Sequence, residues 1–225
     1  MQVRFIRTER KLIMLELIEK IRATGVVPVV KLDDAKDAVP LATALKNGGL
    51  CCAEITFRTD AAEESIRRIA AEYPDFFIAA GTVLTPAQAD AAMAAGASFV
   101  VSPGLNPNVV KHCLDKDYPI IPGVCTPTEV EAAMALGLSY LKFFPAEAAG
   151  GVKMIKAMAA PYTNIRFMPT GGISTKNLAD YLGCKAVFAC GGSWMVPSDL
   201  INEGKFDEIE KLTREAVELL ADIRK

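Results

Sequence analysis

Two kinds of segment alternate along the chain. One is a short run of β-branched and other apolar residues; the other is an Ala- and Leu-rich segment with helical spacing. The first pattern predicts strands and the second amphipathic helices. Strands are expected at 26–32, 52–57, 76–83, 99–104, 120–125, 140–146, 165–172 and 186–193. These eight segments start about 20–26 residues apart, which suits one strand–helix unit each. Capping residues mark helix starts at Thr59-Asp60, Thr85-Pro86, Asn106-Pro107, Thr126-Pro127 and Ser174, several with proline at the first helical position. Gly25, Gly48-Gly49, Gly96, Gly137 and Gly183 fall near helix ends, just ahead of the next strand.

Strict alternation implies a parallel sheet. An open doubly wound sheet would satisfy it too, but eight units of near-constant length favour closure. The expected fold is α/β, a (β/α)8 TIM barrel with an additional N-terminal helix, about 8–24, lying across its floor. No linker, low-complexity stretch or composition shift divides the 225 residues, so 1–225 reads as a single domain.

Composition narrows the function classes. The chain is 51% hydrophobic and 23% charged with a net charge of -2, the balance of a folded globular protein without a nucleic-acid footprint. No apolar run approaches the roughly 18 residues of a membrane span. Arg4, Arg7, Arg10 and Lys11 make the N-terminus basic, yet Glu16 and Glu19 interrupt the apolar stretch that follows. An ordinary amphipathic helix is expected there rather than a signal peptide. The six cysteines lack metal spacing, and several sit in apolar runs, so buried free thiols in a reducing cytoplasm are expected. His112, the single histidine, lies in a helical segment and should be at the surface. Neither a metal nor a cofactor is called for. Trp194 reads as an apolar anchor, and the charged helix 206–225 as a solvated outer face.

Strand parity locates the candidate chemistry. In Ala53-Glu54-Ile55-Thr56-Phe57-Arg58 the odd positions are apolar and suit the helix side, so Glu54, Thr56 and Arg58 share the interior face. In Leu141-Lys142-Phe143-Phe144, Lys142 and Phe144 point inward by the same rule. A Glu, an Arg and a Lys thus converge near the C-terminal ends of their strands, where barrel enzymes work. They could form a buried ion cluster with no chemistry. Alternatively, desolvation disfavours an ammonium, and a neutral lysine amine attacks carbonyls to form a Schiff base. A nearby carboxylate can then move protons. Lys31 is a rival nucleophile at the end of the first strand, but Asp33 and Asp34 give it a wetter setting.

Two strand ends are glycine-rich: Pro169-Thr170-Gly171-Gly172-Ile173-Ser174 and Cys190-Gly191-Gly192-Ser193. Glycine lets backbone N–H groups approach an oxyanion closely, and the loops after strands seven and eight are the recurring phosphate site of such barrels. Tight turns alone would also explain the glycines.

These residues carry a resemblance. Glu54-Ile55-Thr56-Phe57-Arg58-Thr59, Gly81-Thr82-Val83, Ser102-Pro103-Gly104, Lys142-Phe143-Phe144-Pro145-Ala146-Glu147, Pro169-Thr170-Gly171-Gly172-Ile173 and Gly191-Gly192-Ser193-Trp194 together resemble the 2-keto-3-deoxy-6-phosphogluconate (KDPG) aldolase family, also called the 2-keto-4-hydroxyglutarate (KHG)/phosphogluconate aldolases. The similarity runs from about Gly25 to the C-terminus. Phe57 stands where Leu is common in that family, and the residues before about Met14 look like an extension, with Met14 an alternative start.

The resemblance implies a metal-free class I aldolase, usually a homotrimer, acting on a keto-acid phosphate. It implies Lys142 as the Schiff-base lysine and Glu54 as the general acid/base. It implies Arg58 and Thr82 at the pyruvate carboxylate, Pro103 and Phe144 as pocket walls, and Thr170, Gly171, Gly172, Gly192 and Ser193 at the phosphate. The implied reaction cleaves 2-dehydro-3-deoxy-6-phosphogluconate to pyruvate and glyceraldehyde 3-phosphate. Alternatives are 4-hydroxy-2-oxoglutarate or the galactonate epimer as substrate, a phosphate-using epimerase or isomerase, and a non-catalytic phosphosugar-binding barrel.

Overall fold

Apolar runs too short for helices pair side by side as a parallel sheet, one face buried under helices and the other in a core of its own concave side. In the computed structural model all eight expected segments form strands. These are β1 (Val26–Val30), β2 (Cys52–Thr56), β3 (Phe77–Gly81), β4 (Phe99–Val101), β5 (Ile120–Ile121 and Gly123–Val124), β6 (Tyr140–Phe143), β7 (Arg166–Pro169) and β8 (Cys190–Gly192). The structure describes the backbone from Gln2 to Lys225 and the side chains of Leu12 and of Met14 onward. The basic side chains Arg4, Arg7, Arg10 and Lys11 lie outside the described residues.

Every pairing is parallel, in two arcs: β8-β1-β2-β3-β4 with the first half of β5, and the second half of β5 with β6 and β7. The arcs meet at two places. Within β5, Pro122 has no N–H to donate, and the ladder changes sides across it: Ile120 is paired with Val100, Gly123 with Lys142. Between β7 and β8 the links are isolated bridges, Phe167 to Val187 and Thr170 to Gly191. The ladders are therefore a six-stranded and a three-stranded sheet rather than one continuous set of eight.

The helices are α1 (Gln2–Thr24), α2 (Ala38–Asn47), α3 (Ala62–Glu72), α4 (Pro86–Ala94), α5 (Pro107–Asp115), α6 (Pro127–Ala135), α7 (Gly151–Ala159), α8 (Leu178–Leu182), α9 (Ser198–Asn202) and α10 (Phe206–Ile223). Thr85, Asn106 and Thr126 cap α4, α5 and α6 through their side chains, each with proline following. Two expected caps are corrected. α3 begins after Ala61 without a side-chain cap, while the Thr59 hydroxyl donates to Leu32 O at 2.5 Å. α8 begins after Asn177, and Ser174 opens the turn before it, its N–H donating to Asn177 Oδ1. α10 is also corrected: it is amphipathic, with Ile209, Thr213, Ala216 and Leu220 buried.

Two apolar clusters result. The larger joins the outward residues of the strands, such as Ile55, Val100, Leu141 and Phe167, to the surrounding helices. The smaller fills the concave side: Leu17, Ile18 and Ile21 of α1 meet Val27, Ala79, Phe99, Val101, Ile121, Met168 and Phe188. α1 thus closes the floor of the sheet, as expected. Cys52, Cys113, Cys184 and Cys190 are buried and free, whereas Cys51 is exposed and Cys125 half-buried, contrary to burial of every thiol. His112 is half-buried rather than at the surface, with Nε2 2.9 Å from Asp90 Oδ1 across α4 and α5. No helix among the described residues is long and apolar enough to cross a membrane.

Candidate active site

Above the apolar floor, the concave face carries charge. Lys142 lies on β6 and Glu54 on β2, and Lys142 Nζ stands 3.0 Å from Glu54 Oε1 and 3.5 Å from Oε2. Both side chains are sealed from solvent, at 5% and 0% exposure. Such a pair is tolerated because each ion compensates the other's lost hydration. The Lys142 ammonium also sits 5.5 Å from the centroid of the Phe144 ring. Strand parity brings these groups together, as the sequence pattern required.

Glycine makes the room. A Cβ on Gly81 of β3 would meet Glu54 Oε1 and lie 2.5 Å from Glu54 Cγ. A Cβ on Gly123 of β5 would strike the carbonyl of Pro103. Gly81 admits the carboxylate, and Gly123 lets the Ser102-Pro103-Gly104 turn fold in beside Lys142. That turn is held by the buried Ser102 hydroxyl, which donates to Gly104 O at 2.9 Å.

The rim is polar. The exposed Arg58 donates from Nε to Thr56 Oγ1 at 3.0 Å, and the Thr56 hydroxyl donates to Val30 O at 2.6 Å, so the guanidinium is tied to the top of β2. Thr82 follows β3 with φ +57°, in the left-handed region that a β-branched residue seldom adopts. Residues so held cost about 1–3 kcal/mol and concentrate at functional sites. Lys31 is half-exposed and paired with Asp33 at 2.6 Å, which holds the Asp33 carboxyl below its ordinary range. Of the two candidate nucleophiles, Lys142 is the desolvated one.

The two glycine pairs meet. The Thr170–Gly191 bridge sets the end of β7 beside β8, and Gly171 and Gly172 adopt φ +99° and +80°. Thr170 is buried, with its hydroxyl unpartnered. Ser193 is exposed at the end of β8. The Trp194 ring occupies the space beside Gly192, where a Cβ would come 2.5 Å from ring atom Cε3, in keeping with an apolar anchor. No pattern in the sequence gives Glu147 a task of its own or marks Tyr181, whose hydroxyl donates to the Glu147 carboxylate. A lone helical tyrosine carries no signal in sequence. Among the described residues, no three His, Cys, Asp or Glu are arranged to hold a metal ion.

A buried lysine touching a carboxylate, with a cationic rim and two glycine turns above it, has the parts for imine chemistry on an anionic substrate. Comparison with known proteins points the same way. The family model for "KDPG and KHG aldolase" matches residues 17–212. The 2-dehydro-3-deoxy-phosphogluconate aldolase of Haemophilus influenzae is 52% identical over 205 residues, which span 91% of this chain and 97% of that protein. The KDPG aldolase of Legionella pneumophila, solved with pyruvate captured as a covalent carbinolamine intermediate, superposes with a TM-score of 0.82 at 39% identity over 85% of this chain and 93% of its own. The 2-keto-3-deoxy-6-phosphogluconate aldolase of Zymomonas mobilis, solved with 3-phosphoglycerate, gives 0.82 at 40% identity over 88% and 94%. The chain belongs to the KDPG and KHG aldolase family.

Proposed function

We propose that this chain is a class I aldolase that cleaves 2-dehydro-3-deoxy-6-phosphogluconate to pyruvate and glyceraldehyde 3-phosphate through a Schiff base on Lys142. The observation that carries the reading is the buried Lys142–Glu54 contact of 3.0 Å on the concave face. Glu54 accepts the proton that the lysine must lose before it can act as a nucleophile. Lys142 Nζ then adds to C2 of the keto acid, and Glu54 returns its proton to the carbinolamine hydroxyl, which leaves as water to give the iminium and the carboxylate again. As Glu54 removes the proton of the C4 hydroxyl, the C3–C4 bond breaks. Its electron pair moves into the iminium, leaving an enamine and free glyceraldehyde 3-phosphate. Protonation at C3 and hydrolysis release pyruvate and restore Lys142.

Arg58 and Thr82 bind the carboxylate in this reading, Pro103 and Phe144 wall the pyruvyl end, and Thr170, Gly171, Gly172, Gly192 and Ser193 receive the phosphate. Support for a phosphorylated substrate comes from the positive φ of Gly171 and Gly172, which presents backbone to an anion without side chains in the way. 4-Hydroxy-2-oxoglutarate and the galactonate epimer share the same chemistry. The reading extends to one domain, with both arcs closed into a single (β/α)8 barrel, to a homotrimer, and to the cytoplasm, which six unpaired thiols suit.

The test is reduction with borohydride in the presence of pyruvate, followed by mass mapping. A reduced pyruvyl adduct on Lys142 is expected. An adduct on Lys31 would keep the mechanism and move the site, whereas a folded protein with no adduct would refute the aldolase reading.

A further inference from the structure

An open cleft of about 490 Å³ lies between α7 and α8, lined by Glu147, Lys153, Lys156, Asn177 and Tyr181 among others. Glu147 forms the part of its wall that touches the Gly171-Gly172 turn. The Glu147 stem leans on the loop backbone: a Cβ on Gly172 would lie 2.6 Å from Glu147 Cγ and 2.7 Å from its Cβ. The far end cannot swing away, because the buried Tyr181 donates its hydroxyl to the Glu147 carboxylate. Burial, together with that carboxylate, raises the Tyr181 hydroxyl above its ordinary range, so it stays a donor.

The loop's carbonyls are fastened on the same side. Ala146 N–H donates to Thr170 O at 2.8 Å, Glu147 N–H to Gly171 O at 3.1 Å, and Asn177 Nδ2 to Gly172 O at 3.0 Å. Among the described residues, the N–H groups of Gly172 and Ile173 enter no backbone hydrogen bond, while Gly171 lies next to the Thr170–Gly191 bridge. Carbonyls tied down and N–H groups left free make a turn prepared for an anion.

We propose that Glu147, anchored by Tyr181, is a positioning residue for substrate phosphate: it holds the Gly171-Gly172 turn at the height where its N–H groups meet that group, and takes no part in the lysine chemistry. The proposal rests on the reading that this turn receives the phosphate.

Steady-state kinetics of the full chain test it, with KDPG and the unphosphorylated 4-hydroxy-2-oxoglutarate as paired substrates. Glu147→Ala and Tyr181→Phe should each raise KM for KDPG about tenfold, in line with a lost charge-assisted hydrogen bond. On the unphosphorylated substrate they should cost less than about twofold in kcat/KM. Glu147→Gln keeps an acceptor oxygen for Tyr181 and should restore most of the loss. Equal losses on both substrates, or none on either, would overturn the proposal. Ser193→Ala, at the other glycine-rich strand end, separates the two layers. A phosphate-selective defect there with unselective Glu147→Ala and Tyr181→Phe defects removes the brace alone. No phosphate-selective defect in any of the three variants removes the phosphate site and the brace with it.

Discussion

Gly81→Ala would add a methyl group in the space that the Glu54 side chain fills. The new Cβ would stand 2.5 Å from Glu54 Cγ and 2.7 Å from Cδ, where ordinary contact begins at 3.4 Å. Gly81 does not have a positive φ, so the backbone accepts alanine and the steric push is the perturbation. The methyl would push the Glu54 side chain aside by about 1 Å, against its burial and its contact with Lys142. A misplacement of ~1 Å in a reacting geometry can cost on the order of 10²-fold in rate. Overpacking should also cost about 1–3 kcal/mol of stability. Turnover of KDPG by a coupled assay and urea unfolding of the same preparation measure the two effects separately. We expect kcat to fall about a hundredfold while the protein still folds. If a folded Gly81→Ala kept kcat within about threefold of the parent, the location of Glu54 against β3 would not be what the chemistry depends on.

Lys142→Met should abolish the borohydride-trapped adduct and leave Glu54 buried without a partner, costing about 3–5 kcal/mol by urea unfolding. The double variant Lys142→Met/Glu54→Gln should recover part of that loss, and no recovery would count against the ion pair as its source. Arg58→Ala should lower kcat/KM about ten- to a hundredfold by removing a charge-assisted contact to the substrate carboxylate; an unchanged value would assign that carboxylate elsewhere. Glu129 supplies a pH test. Burial pushes its carboxyl up, but hydrogen bonds from the Cys125 N–H and from the hydroxyl and N–H of Thr126 outweigh this and hold it below the ordinary 4.5. A lowered folded pKa contributes stability above the unfolded value that is lost as pH falls through the folded one. The stability gap between wild type and Glu129→Gln should therefore be full near pH 7 and close below about pH 4.5. A gap that stays constant down to pH 3 would contradict this account.

Much of this was legible in the sequence because it is written in local terms. Strand parity sends Glu54 and Lys142 to one face whatever the details of packing, and the threonine–proline pairs at Thr85 and Thr126 specify capped helix starts on their own. What escaped depends on distant partners. Thr59 has the chemistry of a cap, but Leu32 O competes for its hydroxyl, and α3 starts three residues beyond it. The 120–125 run reads as one strand, yet Pro122 divides its pairing between two neighbours. Of the site, the ion pair was readable but the space it needs was not. That Gly81 must be bare follows only from where Glu54 lies across the sheet. The Glu147–Tyr181 brace joins residues 34 apart in sequence and leaves no periodic trace.

The seal that α1 forms beneath the concave face has a consequence for the order of events. Leu17, Ile18 and Ile21 stopper the lower end, so the concave face that carries Lys142 is closed from below. With the floor closed, position sets precedence. If Lys142 carries the Schiff base as proposed, the keto-acid half bound at the bottom has to enter ahead of an aldehyde in the synthetic direction. In cleavage it is the last to depart, after the phosphorylated fragment nearer the rim has cleared the way.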